Sequence, residues 1–205
     1  MTTTNNLELN KGDQFIIALD ISGSMGATDC PGNLSRIQYS LETLKTFVSE
    51  ASKWDPDGVS FYPFGVNVQA FPDMQSADID AKLVGIKLEG ATMTHLAIDA
   101  AYKEHKDKRN EQTFLMIFTD GEPSDHDAVK QSIIKITQDV KDEKEFEIVF
   151  MTVGVRTPAL EQYLKDLDDN LKSAGAKYDI VSVHRLEDVN FMEACSAAVS
   201  QDQAA

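Results

Sequence analysis

At 205 residues, 42 % of them apolar, the chain suits one α/β domain with a substantial core. A formal charge of -15 argues against non-specific nucleic-acid binding, which needs clustered Lys and Arg, and it repels an anionic membrane surface. It favours cationic partners, divalent metals among them, beyond its plain contribution to solubility.

Residues 1–12 carry no basic region and no apolar core, so they read as an N-terminal extension rather than a secretory signal. The two cysteines, Cys30 and Cys195, are too few for a disulfide scaffold and are expected as unpaired thiols. No run approaches the roughly 18 apolar residues that span a bilayer; the cysteine count and the absent signal make the cytoplasm the expected compartment.

A first strand is predicted over 15–19, Phe-Ile-Ile-Ala-Leu. The polar stretch 20–35 follows, and then a helical stripe: Leu34, Ile37, Leu41, Leu44, Phe47, Val48 and Ala51 recur every three or four residues. Asp55-Pro56-Asp57-Gly58 supplies turn chemistry before a second strand over 59–64. After Gly65, residues 67–71 are expected to pair antiparallel with that strand as an edge hairpin. Weak helical patterns cover 77–83 and 94–108.

Strands are predicted over 113–119, 147–153 and 178–183. Between them, Val129, Ile133, Ile136 and Val140 mark one helix, N-capped by Ser124 or Asp125. Leu160, Tyr163, Leu164, Leu167 and Leu171 mark another, closed by Gly175. A last helix fits 189–199, and 200–205 read as a flexible tail.

Most strand segments are continuous apolar runs, the pattern of strands covered on both faces. Alternation of strand and helix over 13–199 predicts a single three-layer, doubly wound α/β domain. Its central sheet is expected to be mostly parallel, with one short antiparallel edge strand and helices on both faces.

In such sheets ligands bind beyond the carboxyl ends of the strands. Three polar clusters fall there. Asp20-Ile21-Ser22-Gly23-Ser24 follows the first strand, Gly90-Ala91-Thr92-Met93-Thr94 leads into a helix, and Thr119-Asp120-Gly121-Glu122-Pro123 ends another strand. Each alone reads as turn or cap chemistry; together they predict one oxygen-lined site. Oxygen donors without Cys or His select hard cations, and Mg²⁺ takes six oxygens while keeping several waters. Asp20 and Asp120, with hydroxyls from Ser22, Ser24 and Thr92, supply such a set if the chain curls at Gly23.

Asp20-x-Ser22-x-Ser24, Thr92 and Asp120 resemble the metal-ion-dependent adhesion site of von Willebrand factor type A domains, with the motifs in family order. The resemblance implies that Ser22 and Ser24 bind the metal directly, and that Thr92, Asp20 and Asp120 bind it directly or through water. It implies Mg²⁺ (with Mn²⁺ or Ca²⁺ as substitutes), a non-enzymatic role, and a protein partner that supplies an Asp or Glu to the metal. Relatives work in cell adhesion, in assemblies with AAA ATPases and in bacterial stress responses; an acidic intracellular domain resembles the last two. The stretch 25–35 is longer than in many relatives and reads as either a spacer or a rim that meets the partner.

Other chemistries fit less well. A metal-dependent phosphatase-like hydrolase also begins strand-Asp, but it needs a second carboxylate where Ser22 stands. Gly-Lys-Ser/Thr and Gly-x-Gly-x-x-Gly are absent, and the nucleophile elbow around Ser24 is incomplete. His95 and His126 are near the clusters in sequence and are expected at the surface. His105 reads as part of an exposed helix end, and His184 follows a strand. Asp125 and Asp127 suit a helix start, where acidic groups complement the dipole.

Overall fold

The computed structural model describes residues 9, 12–78, 81, 85–108, 112–121 and 123–190. The remainder of the expected N-terminal extension, most of the expected helices over 77–83 and 189–199, the tail, Glu122 and Cys195 lie outside the described residues.

Six strands form one sheet: β1 (Gln14–Asp20), β2 (Val59–Phe64), β3 (Phe71–Met74), β4 (Thr113–Thr119), β5 (Phe146–Thr152) and β6 (Val181–Arg185). Their spatial order is β3-β2-β1-β4-β5-β6, with every pairing parallel except β2 with β3. The long helices are α1 (Arg36–Ala51), α2 (Thr94–Lys108), α3 (His126–Asp139) and α4 (Pro158–Asp169).

The continuous apolar runs supply both faces at once, because successive side chains in a strand point opposite ways. Phe15, Ile17, Leu19, Met116 and Phe118 join Leu44, Phe47 and Val48 of α1 on one face. Ile16, Ala18, Leu115 and Ile117 meet α2, α3 and α4 on the other, through residues such as Ile98, Ile133 and Leu164. The expected three-layer, doubly wound architecture is the observed one.

Three boundaries differ from the sequence reading. Residues 67–71 turn back onto β2, since the Gln69 N–H donates to the Pro63 carbonyl at 3.0 Å and Val68 forms a single bridge with Phe64. The ladder, however, resumes only at Phe71–Met74, after an irregularity between Val59 and Phe61. The last strand lies later than 178–183, at Val181–Arg185. Helix α4 ends at Asp169, and Gly175, at φ 110, closes a following 3-10 turn instead.

His105 also departs from expectation. It is buried in α2, with Nδ1 2.9 Å from Thr113 Oγ and Nε2 3.3 Å from Glu145. Ring contacts with Tyr102 and Phe146 hold it there. Burial pushes its pKa below the ordinary imidazole value.

Strand order reverses direction between β1 and β4, the two central strands. Their carboxyl ends, Asp20 and Thr119-Asp120, therefore flank the crevice where this class of fold binds ligands.

Candidate metal centre

Asp20 ends β1 and is fully buried. Its Oδ1 accepts the Ser22 N–H at 2.8 Å, and its Oδ2 accepts the Thr119 hydroxyl at 2.7 Å. Burial raises its pKa to about 6; these hydrogen bonds oppose that rise, and the nearby Asp120 charge adds to it. A carboxylate so placed gains from a cation more than an exposed one does.

Beyond Asp20 the chain curls as the sequence requires. Gly23–Gly26 form a 3-10 turn in which the Met25 N–H donates to the Ser22 carbonyl and Ala27 N–H to that of Ser24. Met25 is buried in the core and anchors the turn. The curl brings Ser22 Oγ and Ser24 Oγ to 3.0 Å, with Ser22 buried and Ser24 exposed.

Two further loops are tied to this one. Glu89 pairs with Ser22 as a parallel bridge, its N–H donating to the Ile21 carbonyl at 2.6 Å. That contact sets 90–94 alongside the first loop. The buried Thr92 donates its N–H to Ser124 Oγ at 3.0 Å and accepts the Ser124 N–H at 2.9 Å. Ser124 thus fastens the second loop to the third, and Asp125 alone caps α3, accepting the Ala128 N–H at 3.0 Å. Thr119 closes the ring by its bond to Asp20.

Asp120 is buried, and its Oδ2 accepts Arg36 Nη1 at 2.7 Å. The same guanidinium grips Asp29 twice, Nε to Oδ1 at 2.8 Å and Nη2 to Oδ2 at 2.6 Å. Those Arg36 bonds hold the Asp29 carboxyl down at about 2. The segment 25–35 is therefore more than a spacer: Met25 and Cys30 enter the core, and Asp29 reaches the site through Arg36.

Sequence reading missed Arg36 and Asp29, and it quoted Thr119 without giving it a role. A signal existed for Arg36. It is the first residue of α1, where a positive charge opposes the helix dipole. A local misfit of that kind points to a tertiary partner.

The two histidines near the clusters in sequence do not join them. His126 stacks on Tyr163 with centroids 4.2 Å apart, and His95 makes none of the site's hydrogen bonds described above. Among the described residues, no three His, Cys, Asp or Glu side chains gather to hold an ion. Any cation here would therefore depend on hydroxyl as well as carboxylate oxygens, and the donors present fit a hard divalent ion in kind.

A sequence model of the von Willebrand factor type A domain matches residues 15–192. No curated protein matches the chain. Among solved structures, the SpRpn10 VWA domain superposes with a TM-score of 0.62 at 14 % identity, covering 93 % of this chain and 95 % of that one. Manganese-loaded TRAP protein of Plasmodium vivax gives 0.58 at 15 % identity, covering 87 % and 70 %. A von Willebrand factor type A protein from Catenulispora acidiphila gives 0.55 at 16 %, covering 91 % and 42 %. At these identities the likeness is one of fold.

Proposed function

The chain belongs to the von Willebrand factor type A family, and from that premise we propose that it is a Mg²⁺-dependent protein-binding module rather than an enzyme. Asp20, Ser22, Ser24, Thr92 and Asp120 would hold the ion, and an Asp or Glu of a protein partner would complete its coordination. The bound ion would supply a positive, electrophilic centre for that carboxylate. The chain's own residues would shape and hold the shell.

The observation that carries this reading is the ring of cross-ties. Three loops distant in sequence are joined by Glu89 to Ile21, Thr92 to Ser124, and Thr119 to Asp20. Two of the ties use only backbone groups of the proposed ligands or of their neighbours, and the third takes one carboxylate oxygen of Asp20. The Ser22 and Ser24 hydroxyls bond only to each other among the contacts described above, and Arg36 engages one oxygen of Asp120, so the second oxygen and lone pairs of both hydroxyls would serve an ion.

Exposed apolar groups favour a protein partner over a small substrate. Among the described residues, the exposed large hydrophobics are Val66, Leu88 and Val155. Val66 follows β2, Val155 follows β5, and Leu88 precedes the Glu89 bridge, so all three lie on loops at the site's end of the sheet. An assembly with an AAA ATPase or a stress-response system is the setting this reading favours.

A melting curve recorded with increasing MgCl₂ or MnCl₂, against EDTA, tests it. At one hundred times its dissociation constant the metal should add about 2.7 kcal/mol of stability. A melting temperature unmoved by either metal would overturn the reading. Partner capture that is lost in EDTA would then identify the carboxylate donor.

A further inference from the structure

Arg36 is fixed from three directions. Nη1 contacts Asp120 Oδ2 at 2.7 Å, and Nε and Nη2 contact the two oxygens of Asp29 at 2.8 and 2.6 Å. Asp29 also accepts the Val155 N–H at 3.3 Å. Gly154 lies against the guanidinium so closely that a Cβ there would collide with it. The Arg36 side chain is only 15 % exposed and that of Asp120 only 6 %. This is a built ion pair, formed between residues 84 positions apart, and not a chance surface contact.

Resting on the reading above, we propose that Arg36 sets the charge balance of the metal site and so makes metal retention depend on the partner's carboxylate. Two carboxylates alone would neutralise a divalent ion. Here one of them already shares its charge with a guanidinium, so an ion bound at the other oxygen of Asp120 is locally under-compensated, and the formal balance is completed only by the more exposed Asp29 on the other edge of Arg36. Guanidinium and ion repel each other across the shared carboxylate, and the repulsion is little screened in a buried site. An anion arriving at the ion relieves it. Asp29 limits the effect, since its own charge partly offsets that of Arg36.

Had Arg36 served only to position Asp120, its removal would weaken metal binding. The charge-balance role predicts the opposite sign. Manganese binding, followed by the electron paramagnetic resonance of free Mn²⁺ at constant ionic strength, separates the two. Acetate stands in for the partner's carboxylate.

Without acetate, Arg36→Gln should bind Mn²⁺ on the order of tenfold more tightly than the unaltered chain. Arg36→Lys, which keeps the charge without the fork, should stay near the unaltered affinity. Acetate should tighten Mn²⁺ binding in the unaltered chain and have much less effect in Arg36→Gln. Should Arg36→Gln fail to fold, Asp29→Asn gives the same test with the sign reversed. Removing the offsetting charge should weaken Mn²⁺ binding several-fold.

Equal or weaker Mn²⁺ binding by a folded Arg36→Gln, or a Lys variant that behaves like the Gln one, overturns the charge-balance role and leaves the proposed function standing. An unaltered chain that binds no Mn²⁺ overturns the proposed function itself, and this inference with it.

Discussion

The Thr119 hydroxyl donates to Asp20 Oδ2 at 2.7 Å and fastens the end of β4 to the end of β1, with both side chains buried. It also accepts the Gly121 N–H at 3.1 Å, so one oxygen sets both the carboxylate and the turn that follows. Thr119→Val keeps the shape and deletes both bonds. A buried carboxylate deprived of a donor keeps its desolvation penalty, so the variant should lose about 1–3 kcal/mol in urea unfolding in EDTA. Thr119→Ser, which restores the hydroxyl, should recover most of it.

Asp120→Ala separates the proposed ligand role from the structural one. Arg36 keeps both bonds to Asp29, and Asp20 loses a neighbouring like charge. These effects limit the cost of the broken ion pair, so unfolding in EDTA should shift by about 1–3 kcal/mol with the fold kept. The melting-temperature rise with MnCl₂ should vanish. Global unfolding in EDTA would instead make Asp120 mainly a structural partner of Arg36.

Patterns with strong local causes were the legible ones. β2 and β4 match the sequence reading because each is a continuous apolar run bounded by turn chemistry. Edge strand β3 was misplaced because its residues are half-exposed and its Pro72 breaks any apolar signal. Asp20, Ser22, Ser24 and Asp120 were proposed as ligands because they stand where strands run out, and Thr92 because its loop leads into a helix. Arg36 and Asp29 could not be paired from sequence, since the tie between α1 and the end of β4 exists only once the sheet is built. His105 was misjudged for the same reason. Its lysine-rich surroundings in sequence say nothing of Phe146 and Thr113, which enclose it.

Gly154 tests whether the Arg36 contact is built into the backbone. Its φ is +79, a conformation that side chains rarely adopt, and a Cβ would meet the Arg36 guanidinium. Gly154→Ala should cost about 1–3 kcal/mol in urea unfolding, from strain and a displaced cation. If the displaced arginine leaves Asp120, the variant should also move Mn²⁺ affinity in the direction of Arg36→Gln. A stability equal to that of the unaltered chain would show that the site yields easily.

Glu147 gives the fold a pH dependence remote from the candidate site. It lies in β5, only 2 % exposed, with Oε1 accepting Gln112 Nε2 at 2.7 Å. Oε2 is buried without a hydrogen-bond partner among the described residues. Burial pushes the carboxyl up from an ordinary 4.5 to about 8, against the opposing Gln112 bond. Between these values the folded chain holds a proton that the unfolded chain has released. The contribution is therefore fully present below about 4.5 and is lost as pH rises through about 8. Glu147→Gln stays neutral throughout and keeps the acceptor for Gln112. It should match the unaltered chain near pH 5 and exceed it by more than about 1 kcal/mol near pH 9 in urea unfolding. Parallel stability profiles for the two chains across that range would mean that Glu147 is ionised in the fold.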